Sequence, residues 1–139
     1  MPVRLEHIQQ PTDADWNDLH KIRTETSPLG LVVAGELEDW LDNQHWIIAG
    51  RFNDRIIGAL LAERTGAQTV ILTGAGVRTI TQKRGVMHQM MHFIQQWAEQ
   101  ESLQLLVCLD DVNVSEKLQK ALLSRGFVRE DSNLTFNPS

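Results

Sequence analysis

Apolar residues recur with two different periods along this chain, and each period predicts a type of element. Residues 3–8 alternate between apolar and polar positions, which predicts a first β-strand. Pro11 and Thr12 then begin a helix, and Thr12 can cap it together with Asp15, an acidic variant of the capping box. The apolar stripe of this helix consists of Trp16, Leu19 and Ile22.

The segment after this helix combines a break with a second helical pattern. Residues 27–31, with the sequence SPLGL, interrupt the periodicity. A short helix is predicted over residues 35–42, with three apolar side chains facing inward: Leu37, Trp40 and Leu41. This acidic stretch could instead bind a partner, but packing of its apolar face is the simpler interpretation.

Residues that favour β-strands dominate the middle of the chain. Residues 46–52 and 55–62 form two such runs. The polar pair Asn53 and Asp54 lies between them and favours a hairpin turn, although the usual glycine is missing. We therefore expect two neighbouring antiparallel strands here.

The pattern changes from strand to helix near Arg84. A strand is predicted over residues 70–77, and its paired glycines, Gly74 and Gly76, indicate a bulge or a close approach of another group to the backbone. After Arg84 the apolar residues recur at helical spacing, which predicts a helix of about four turns. These residues are Met87, Met90, Met91, Ile94, Trp97 and Ala98.

The last third of the chain alternates between strand and helix. Residues 103–109 are a nearly unbroken apolar run, typical of a central strand covered on both faces. Residues 115–124 are helical, Gly126 ends this helix, and a short final strand begins at Phe127. The order of elements predicts an α/β (α+β) fold: a mixed, mostly antiparallel sheet with helices on both faces.

Bulk properties narrow the classes of function. The chain has 139 residues, of which 42% are hydrophobic and 22% charged, and this fits a single domain over residues 1–139. Its net charge is −5, whereas nucleic-acid-binding proteins normally carry a basic surplus, so we expect no nucleic-acid partner. It has neither an apolar run long enough to span a membrane nor a leader pattern, so we expect a cytoplasmic protein without membrane association.

Two residue types are informative through their scarcity. The one cysteine, Cys108, allows no internal disulfide, which fits a reducing compartment. Because it lies inside an apolar run, we interpret it as a small core residue. The chain contains no tyrosine, and this absence bears on the chemistry considered below.

The segment 81–91, TQKRGVMHQMM, joins a predicted strand to a predicted helix. The first N–H groups of a helix lack partners within it and lie at the positive end of its dipole, so a phosphate fits there. Gln82, Lys83 and Arg84 add donors and positive charge, and Gly85 lets the backbone come close. An ordinary solvated basic turn would have the same composition, so this segment alone does not decide between the two.

Several motifs together resemble the GNAT (Gcn5-related N-acetyltransferase) superfamily. Residues 82–87 match its acyl-CoA loop, Arg/Gln-x-x-Gly-x-Gly/Ala, except that Met87 replaces the small last residue. Three further segments match features of the superfamily. Residues 77–85 (VRTITQKRG) match its strand–loop sequence, and residues 111–113 (DVN) match its asparagine after the fifth strand. Residues 121–127 (ALLSRGF) match its Gly-Phe signature at a helix end. The resemblance implies a GNAT-like fold that binds acetyl-CoA or CoA.

Within that superfamily the chain is similar to the PanZ/PanM regulators of aspartate α-decarboxylase. The segments that carry the similarity are RLEHI, LHKI followed by SP, HWIIAGRFNDRIIGAL and VRTITQKRGV. The resemblance implies a protein that binds acetyl-CoA and then binds aspartate α-decarboxylase, as zymogen and as mature form, promoting self-cleavage to the pyruvoyl form. It would thereby couple β-alanine and pantothenate supply to the acetyl-CoA pool.

The same resemblance implies roles for individual residues. In the subfamily the arginine and asparagine of the RFN segment contact the decarboxylase, and they correspond here to Arg51 and Asn53. The acetyl-CoA contacts fall on the fourth-strand end and the loop, namely Ala75, Gly76, Val77, Thr81, Gln82, Lys83, Arg84, Gly85, Val86, Met87 and His88. On the helical register, Met87 would point into the core and leave its N–H for the phosphate.

Two departures from the pattern bear on ligand binding. Met87 could weaken CoA affinity, and one alternative is a module that has lost CoA altogether. The fourth-strand end, AGVR, is richer in glycine than the subfamily pattern and could change how the acetyl end sits.

The usual groups for acetyl transfer are missing. Transfer to an amine needs a base for the amine proton and usually an acid for the thiolate. In many GNAT enzymes the acid is a tyrosine shortly before the Gly-Phe signature, where this chain has Leu122. Residues 70–77 contain no carboxylate, and Glu63, the nearest, is interpreted as a solvated charge. We therefore expect no catalytic residues; the alternative is an N-acetyltransferase acting on a small amine or a protein N-terminus.

His88 and His92 are the one candidate pair of metal ligands. They are four residues apart on one helical face, as metal-binding histidines often are. No third ligand stands at a suitable spacing, so we expect no metal site.

Overall fold

The computed structural model describes residues 3–26, 31, 33, 35–109 and 116–138, with the backbone alone at 82–84. Part of the predicted break after the first helix and the DVN motif at 111–113 lie outside the described residues. In chain order the elements are β1 (Arg4–Ile8), α1 (Asp13–Thr26), a 3-10 turn (Leu37–Asp39), β2 (His45–Phe52), β3 (Arg55–Arg64), β4 (Thr69–Val77), a 3-10 segment (Thr79–Arg84), α2 (Val86–Gln100), β5 (Gln104–Cys108), α3 (Glu116–Ser124), β6 (Val128–Glu130) and β7 (Asn133–Phe136).

The strands form one sheet in the order β1-β2-β3-β4-β5-β7-β6. Every neighbouring pair is antiparallel except β4 and β5, which are parallel. The predicted mixed, mostly antiparallel sheet is therefore confirmed. Within the described residues, no helix is long and apolar enough to cross a membrane.

Helices cover the sheet on both faces, as predicted. Consecutive residues of β2 alternate between two core clusters: Ile47 packs with α1, and Ile48 packs with α2 and α3. Leu19 and Ile22 of α1 are fully buried, and so is Met90 of α2. The α1 face and the α2/α3 face of the sheet are thus two separate apolar layers.

Local sequence signals at the start of α1 and between β2 and β3 are confirmed. The Thr12 N–H donates to Asp15 Oδ2 and the Asp15 N–H donates to Thr12 Oγ1, both at 3.1 Å, which is a reciprocal capping box. Asn53 and Asp54 close the hairpin with φ angles of 50° and 64°. Both angles are left-handed, the geometry of a type I′ turn, and Asn and Asp tolerate it better than most residues.

Three predicted elements differ from the structure. The predicted helix over residues 35–42 is only a 3-10 turn, because the Asp42 carboxylate accepts the N–H groups of Gln44 and His45 and so begins a turn into β2. Its apolar side chains still face inward, as predicted: Leu37 is fully buried, while Trp40 and Leu41 are half-buried.

The C-terminal strands account for the other two differences. The predicted final strand is a hairpin, β6 and β7, turned at Asp131 with a φ of 55° and without a glycine signal. The strand β5 is central, but within the described residues one face is covered less well: Leu105 and Val107 are buried, whereas Leu106 and Cys108 are half-buried. Cys108 lies outside both core clusters, so its prediction as a core residue is wrong.

Two paired glycines let α2 approach the sheet. Gly50 of β2 lies opposite Gly58 of β3, and Met90 lies above both. A Cβ on Gly58 would lie 2.5 Å from the Met90 Sδ, and a Cβ on Gly50 would lie 3.1 Å from it. The fully buried Met90 side chain therefore occupies space that exists because both positions lack a side chain.

Replacing Met90 by alanine should leave a cavity above the two glycines. We expect the free energy of unfolding to fall by about 2–5 kcal/mol, the usual cost of truncating a buried methionine. Urea denaturation followed by circular dichroism measures this. The matched change His92→Ala, at an exposed position of the same helix, should cost no more than about 0.5 kcal/mol. Equal losses for the two variants would contradict the packing role of Met90.

Candidate functional site

The parallel strands β4 and β5 pair along only part of their length. Thr69, Val70 and Ile71 pair with β5, but β4 continues to Val77. On its other side β4 stays paired with β3 as far as Val77. Residues 72–77, about 20 Å of strand, therefore present a backbone edge that no described strand pairs with. An extended ligand with amide groups could form hydrogen bonds along such an edge.

A β-bulge lies near the start of this open edge. Leu61 pairs with Gly74 and Ala62 pairs with Leu72, so Thr73 is an extra residue on β4. The Thr73 hydroxyl donates to the carbonyl of Leu61 at 3.3 Å. The bulge predicted from the paired glycines is thus confirmed, with Thr73, the residue before Gly74, as its extra residue.

The second glycine of that pair has a different role. A Cβ on Gly76 would lie 2.9 Å from Ile22 Cγ2 and 3.1 Å from Thr26 Cγ2, both on α1. The close approach predicted for the paired glycines is therefore made by a helix of the chain itself. Gly76 sets the distance between α1 and the strand whose edge is open.

The open edge leads directly into the segment predicted to bind phosphate. After β4 the backbone forms the 3-10 segment, Gly85 adopts a left-handed φ of 74°, and α2 follows. The first helical hydrogen bond in this turn runs from the Gln89 N–H to the Gly85 carbonyl at 3.0 Å. The N–H groups of Val86, Met87 and His88 therefore have no acceptor within α2 and lie at its positive end. This geometry suits an anion.

The structure brings the predicted ligand residues to one end of the open edge. Ala75, Gly76 and Val77 end β4, and residues 81–88 span the 3-10 segment and the first turn of α2. Thr81 is buried, and its hydroxyl donates to the Arg78 carbonyl at 2.8 Å, so it shapes the turn. Contact of these residues with a ligand remains a prediction.

Met87 is half-buried and packs against the core cluster on the α2 face of the sheet. This agrees with the interpretation that its side chain points inward and leaves its N–H at the helix start. His88, one residue on, is exposed, and its Nδ1 lies 3.1 Å from Nη1 of Arg125. Arg125 also donates to Gln95 Oε1 at 3.1 Å, which ties the end of α3 to α2.

A further residue at this site carries no signal in the sequence. The Glu25 carboxylate, in the last turn of α1, accepts the Thr79 N–H at 2.7 Å and the Arg78 Nε–H at 2.9 and 3.1 Å. Arg78 follows the end of β4, and Thr79 begins the 3-10 segment. The Thr79 N–H, followed by the Arg78 guanidinium, lowers the pKa of the Glu25 carboxyl below its ordinary value. Glu25 was missed because it lies 53 residues away from Arg78 in sequence.

Arg51, one of the two predicted partner-binding residues, makes extensive contacts within the chain. Its Nη1 and Nη2 donate to the Asp15 carboxylate at 2.9 and 3.0 Å, and its Nε donates to Glu6 Oε2 at 2.6 Å. Nη1 also donates to the Asp54 carbonyl at 3.2 Å. Only 13% of the Arg51 side chain is exposed. Asn53, the second predicted residue, is exposed at the hairpin turn and makes no hydrogen bond through its side chain among the described contacts.

The ion pair of Arg51 has a neighbour of the same design. The buried Asp18 carboxylate accepts Arg55 Nε at 3.0 Å and Nη2 at 2.6 Å, together with the Ile56 N–H at 3.2 Å. Hydrogen bonding to Arg51 lowers the pKa of the Asp15 carboxyl, and hydrogen bonding to Arg55 lowers that of Asp18, so both stay ionised. The two pairs fix α1 to the two sides of the β2–β3 hairpin.

Leu122 and Glu63 occupy the two positions that bear on acetyl transfer. Leu122, where many GNAT enzymes have a tyrosine, is buried in the core. Glu63 pairs across the sheet with Ile71, the last residue of β4 that pairs with β5. Its Oε1 lies 3.7 Å from His45 Nε2, and the other ring nitrogen of His45 is 3.0 Å from the Asp42 carboxylate. Glu63 is half-exposed, and its contact with His45 is too long for a hydrogen bond.

The candidate metal pair lies on the surface of α2. His88 and His92 are both exposed on α2. In the part of the chain that the structure describes, no group of three or more His, Cys, Asp or Glu side chains could hold a metal ion.

Comparison with known proteins points to one family. A family model described as "Acetyltransferase (GNAT) domain, PanZ" matches residues 2–133. The PanD regulatory factor of Escherichia coli (strain K12) is 34% identical over 86 residues, 62% of this chain and 61% of that protein. The PanD regulatory factor of Salmonella typhimurium (strain LT2) is 39% identical over 84 residues, 60% of this chain and 57% of that protein. The aligned regions thus span about three fifths of the length of these relatives.

A solved structure with the same fold carries a ligand. The solution structure of the candidate N-acetyl transferase YhhK from Escherichia coli, bound to coenzyme A, superposes with a TM-score of 0.71 at 24% identity, covering 99% of both chains. At this level of identity the likeness shows that the fold is shared.

Replacing Arg51 by alanine tests whether this residue supports the fold. We expect the free energy of unfolding to fall by about 3 kcal/mol at pH 7, because the Asp15 carboxylate would remain buried without its partner. The pKa of Asp15 is lowered in the folded chain, so this stabilisation is complete above about pH 4 and is lost as the pH falls through the lowered value. The difference between wild type and variant should therefore shrink in acid.

Urea denaturation at pH 7 and at acid pH provides the measurement. Arg129→Ala, at an exposed position of β6 with no ion pair among the described contacts, is the control and should cost less than about 0.5 kcal/mol. An Arg51→Ala variant as stable as this control would show that the ion pair does not support the fold.

Proposed function

This chain belongs to the PanZ family of acetyltransferase (GNAT) domains, and we propose that it is an acetyl-CoA-binding regulator of aspartate α-decarboxylase. In this proposal acetyl-CoA binds first, and the complex then binds the decarboxylase zymogen and promotes its self-cleavage. The name of the two curated relatives, PanD regulatory factor, supports this role.

The observation that carries the proposal is the open edge of β4 ending at the start of α2. A ligand with phosphates at one end and an extended arm fits both parts: the phosphates at the N–H groups of residues 86–88, the arm along residues 72–77. Its far end would then lie near Ile71, where β4 and β5 come together. Acetyl-CoA has this shape, with a diphosphate, two amides along its arm and the acetyl group at the far end.

The absence of an acid favours a regulator over an enzyme. The chain has no tyrosine, and Leu122 points into the core. A bound acetyl-CoA would therefore lack the usual proton donor for its departing thiolate. A ligand that binds without reacting can act as a signal, because its binding stabilises the conformation that holds it.

The hairpin between β2 and β3 is the proposed contact with the decarboxylase. Its tip presents Asn53, whose side chain is free to form hydrogen bonds with a partner. Arg51 lies one residue from the start of the turn and is held by Asp15 and Glu6. We propose that Asn53 contacts the decarboxylase directly. Arg51 holds the hairpin in place and contacts the partner through the part of its side chain that stays exposed.

Mixing this protein with a decarboxylase zymogen and acetyl-CoA should accelerate formation of the cleaved subunits, which gel electrophoresis resolves over time. Asn53→Gly removes the side chain while keeping the left-handed turn, since glycine adopts this φ freely. If Asn53 is a central contact, its loss should cost about 2 kcal/mol of binding, roughly a 30-fold higher half-maximal concentration.

Asp54→Gly is the matched control. It introduces the same residue at the other turn position, and the Asp54 carbonyl that Arg51 contacts is retained. Acetyl-CoA at a hundred times its Kd should stabilise wild type and both variants by about 2.7 kcal/mol. No acceleration of cleavage at saturating acetyl-CoA would rule out the regulator, whereas equal activity of Asn53→Gly and Asp54→Gly would rule out only the contact.

One observation favours N-acetyltransferase activity as a second candidate. Glu63 lies beside Ile71, close to where the far end of the ligand would lie, and could take a proton from an amine. This candidate predicts steady release of CoA thiol when a small amine or a peptide N-terminus is added, and a loss of about 10²–10⁴-fold in turnover for Glu63→Gln.

Thiol release is followed with a thiol-reactive dye. Asp42→Asn is the control, because it removes the other carboxylate beside His45 and leaves Glu63 in place. Turnover that Glu63→Gln does not reduce would exclude Glu63 as the base, and no turnover with any acceptor would leave the regulator as the function.

A further inference from the structure

We propose that Glu25 is a positioning residue for the acetyl-CoA loop, acting from α1 without touching the ligand. This rests on the proposed binding of acetyl-CoA at residues 81–88. None of the motifs that resemble the family includes Glu25.

Glu25 contacts the junction where the loop leaves the sheet. Arg78 follows the last residue of β4 and Thr79 begins the 3-10 segment, so the conformation of these two residues sets the direction in which the loop leaves the sheet. Among the described residues, the Thr79 N–H donates to the Glu25 carboxylate, at 2.7 Å. The Arg78 backbone N–H donates to the Ile57 carbonyl at 2.8 Å, which holds the preceding peptide to β3. The junction is thus fixed by β3 on one side and by Glu25 on the other.

The end of α1 that carries Glu25 is packed closely on β4. Thr26, the next residue of α1, packs against Gly76 with its Cγ2 and donates its hydroxyl to the Ile22 carbonyl at 2.7 Å. The side chains of Arg78 and Glu25 keep only 19% and 27% of their surface exposed. The carboxylate therefore reaches the junction from a helix that is packed tightly on the same strand.

The Glu25 carboxylate carries a negative charge close to the proposed phosphate site. A carboxylate beside an anion site repels the phosphates, and it also occupies the Arg78 guanidinium that could otherwise bind them. Electrostatics alone therefore predicts that removing Glu25 tightens the binding of acetyl-CoA. Positioning predicts the opposite, because a loop that adopts its binding conformation less often binds more weakly. The direction of the change in affinity separates the two effects.

The test is calorimetric titration of acetyl-CoA into wild type, Glu25→Gln, Glu25→Ala and the control Glu38→Gln. Glu38 is exposed and lies 3.0 Å from His20 Nε2, so its substitution removes the same negative charge at a hydrogen-bonded position of the chain outside the loop. We expect Kd to rise about tenfold for Glu25→Ala, as when the binding conformation falls to about one molecule in ten. The Kd of Glu25→Gln should rise less, because the amide oxygen of the new side chain can still accept the Thr79 N–H. Glu38→Gln should bind like wild type.

Rates separate positioning from a general loss of structure. For a loop that must first adopt its binding conformation, the association rate constant should fall by about the same factor as the affinity, while the dissociation rate constant stays nearly unchanged. Unchanged or tighter binding by both Glu25 variants would overturn the proposal, as would equal weakening in Glu38→Gln. If wild type itself gives no binding heat, the proposed acetyl-CoA function fails, which is a different outcome.

Discussion

One face of α1 holds together the end of the sheet where we propose that the ligand and the partner bind. Asp15, Asp18, Ile22 and Glu25 are spaced by three, four and three residues, so they lie on one side of the helix. In that order they contact β2, β3, the end of β4 and the junction that leads to α2. Their three carboxylates pair with Arg51 of β2, Arg55 of β3 and Arg78 just after β4, and Ile22 packs over Gly76, which has no side chain. The hairpin and the loop are both placed by this helix.

On the opposite face of the sheet, α2 packs through apolar side chains. Met90 lies over Gly50 and Gly58 and is fully buried, so this contact excludes water. The two modes have different consequences. Apolar packing tolerates changes of similar volume, whereas a bidentate ion pair requires both partners at fixed positions, since an unpaired buried carboxylate is costly. Polar contacts therefore set the geometry where it matters for the proposed ligand and partner.

These contacts change what the family resemblance implies for Arg51. The resemblance by itself implies that Arg51 contacts the decarboxylase. In the structure Asp15 and Glu6 occupy most of its donors, so a substitution there alters the hairpin as well as any contact. Asn53 and Asp54, whose side chains are exposed and whose left-handed angles glycine can adopt, isolate the partner surface more cleanly. Loss of activity in an Arg51 variant would therefore be hard to attribute to one cause.

The elements with local signals could be predicted from the amino-acid sequence. The alternation in the strands, the helical stripe of α2, the capping box at Thr12 and the turn at Asn53 each depend on residues a few positions apart, and each is confirmed. Family membership was equally predictable, because the loop motif is contiguous. The helix predicted over residues 35–42 is wrong, because the turn at Asp42 overrides the apolar pattern of this segment.

Which side chains meet depends on the folded arrangement of the elements and could not be predicted from the sequence. Glu25 and Arg78 are 53 residues apart, and Arg51 and Asp15 are 36 apart. Neither sequence separation nor composition indicates which carboxylate an arginine will find, because the pairing follows from how α1 crosses the ends of the strands. The same holds for the open edge of β4, which exists because β5 pairs with only its first residues. A ligand site made of an unpaired backbone edge leaves no pattern in the side chains that a sequence can display.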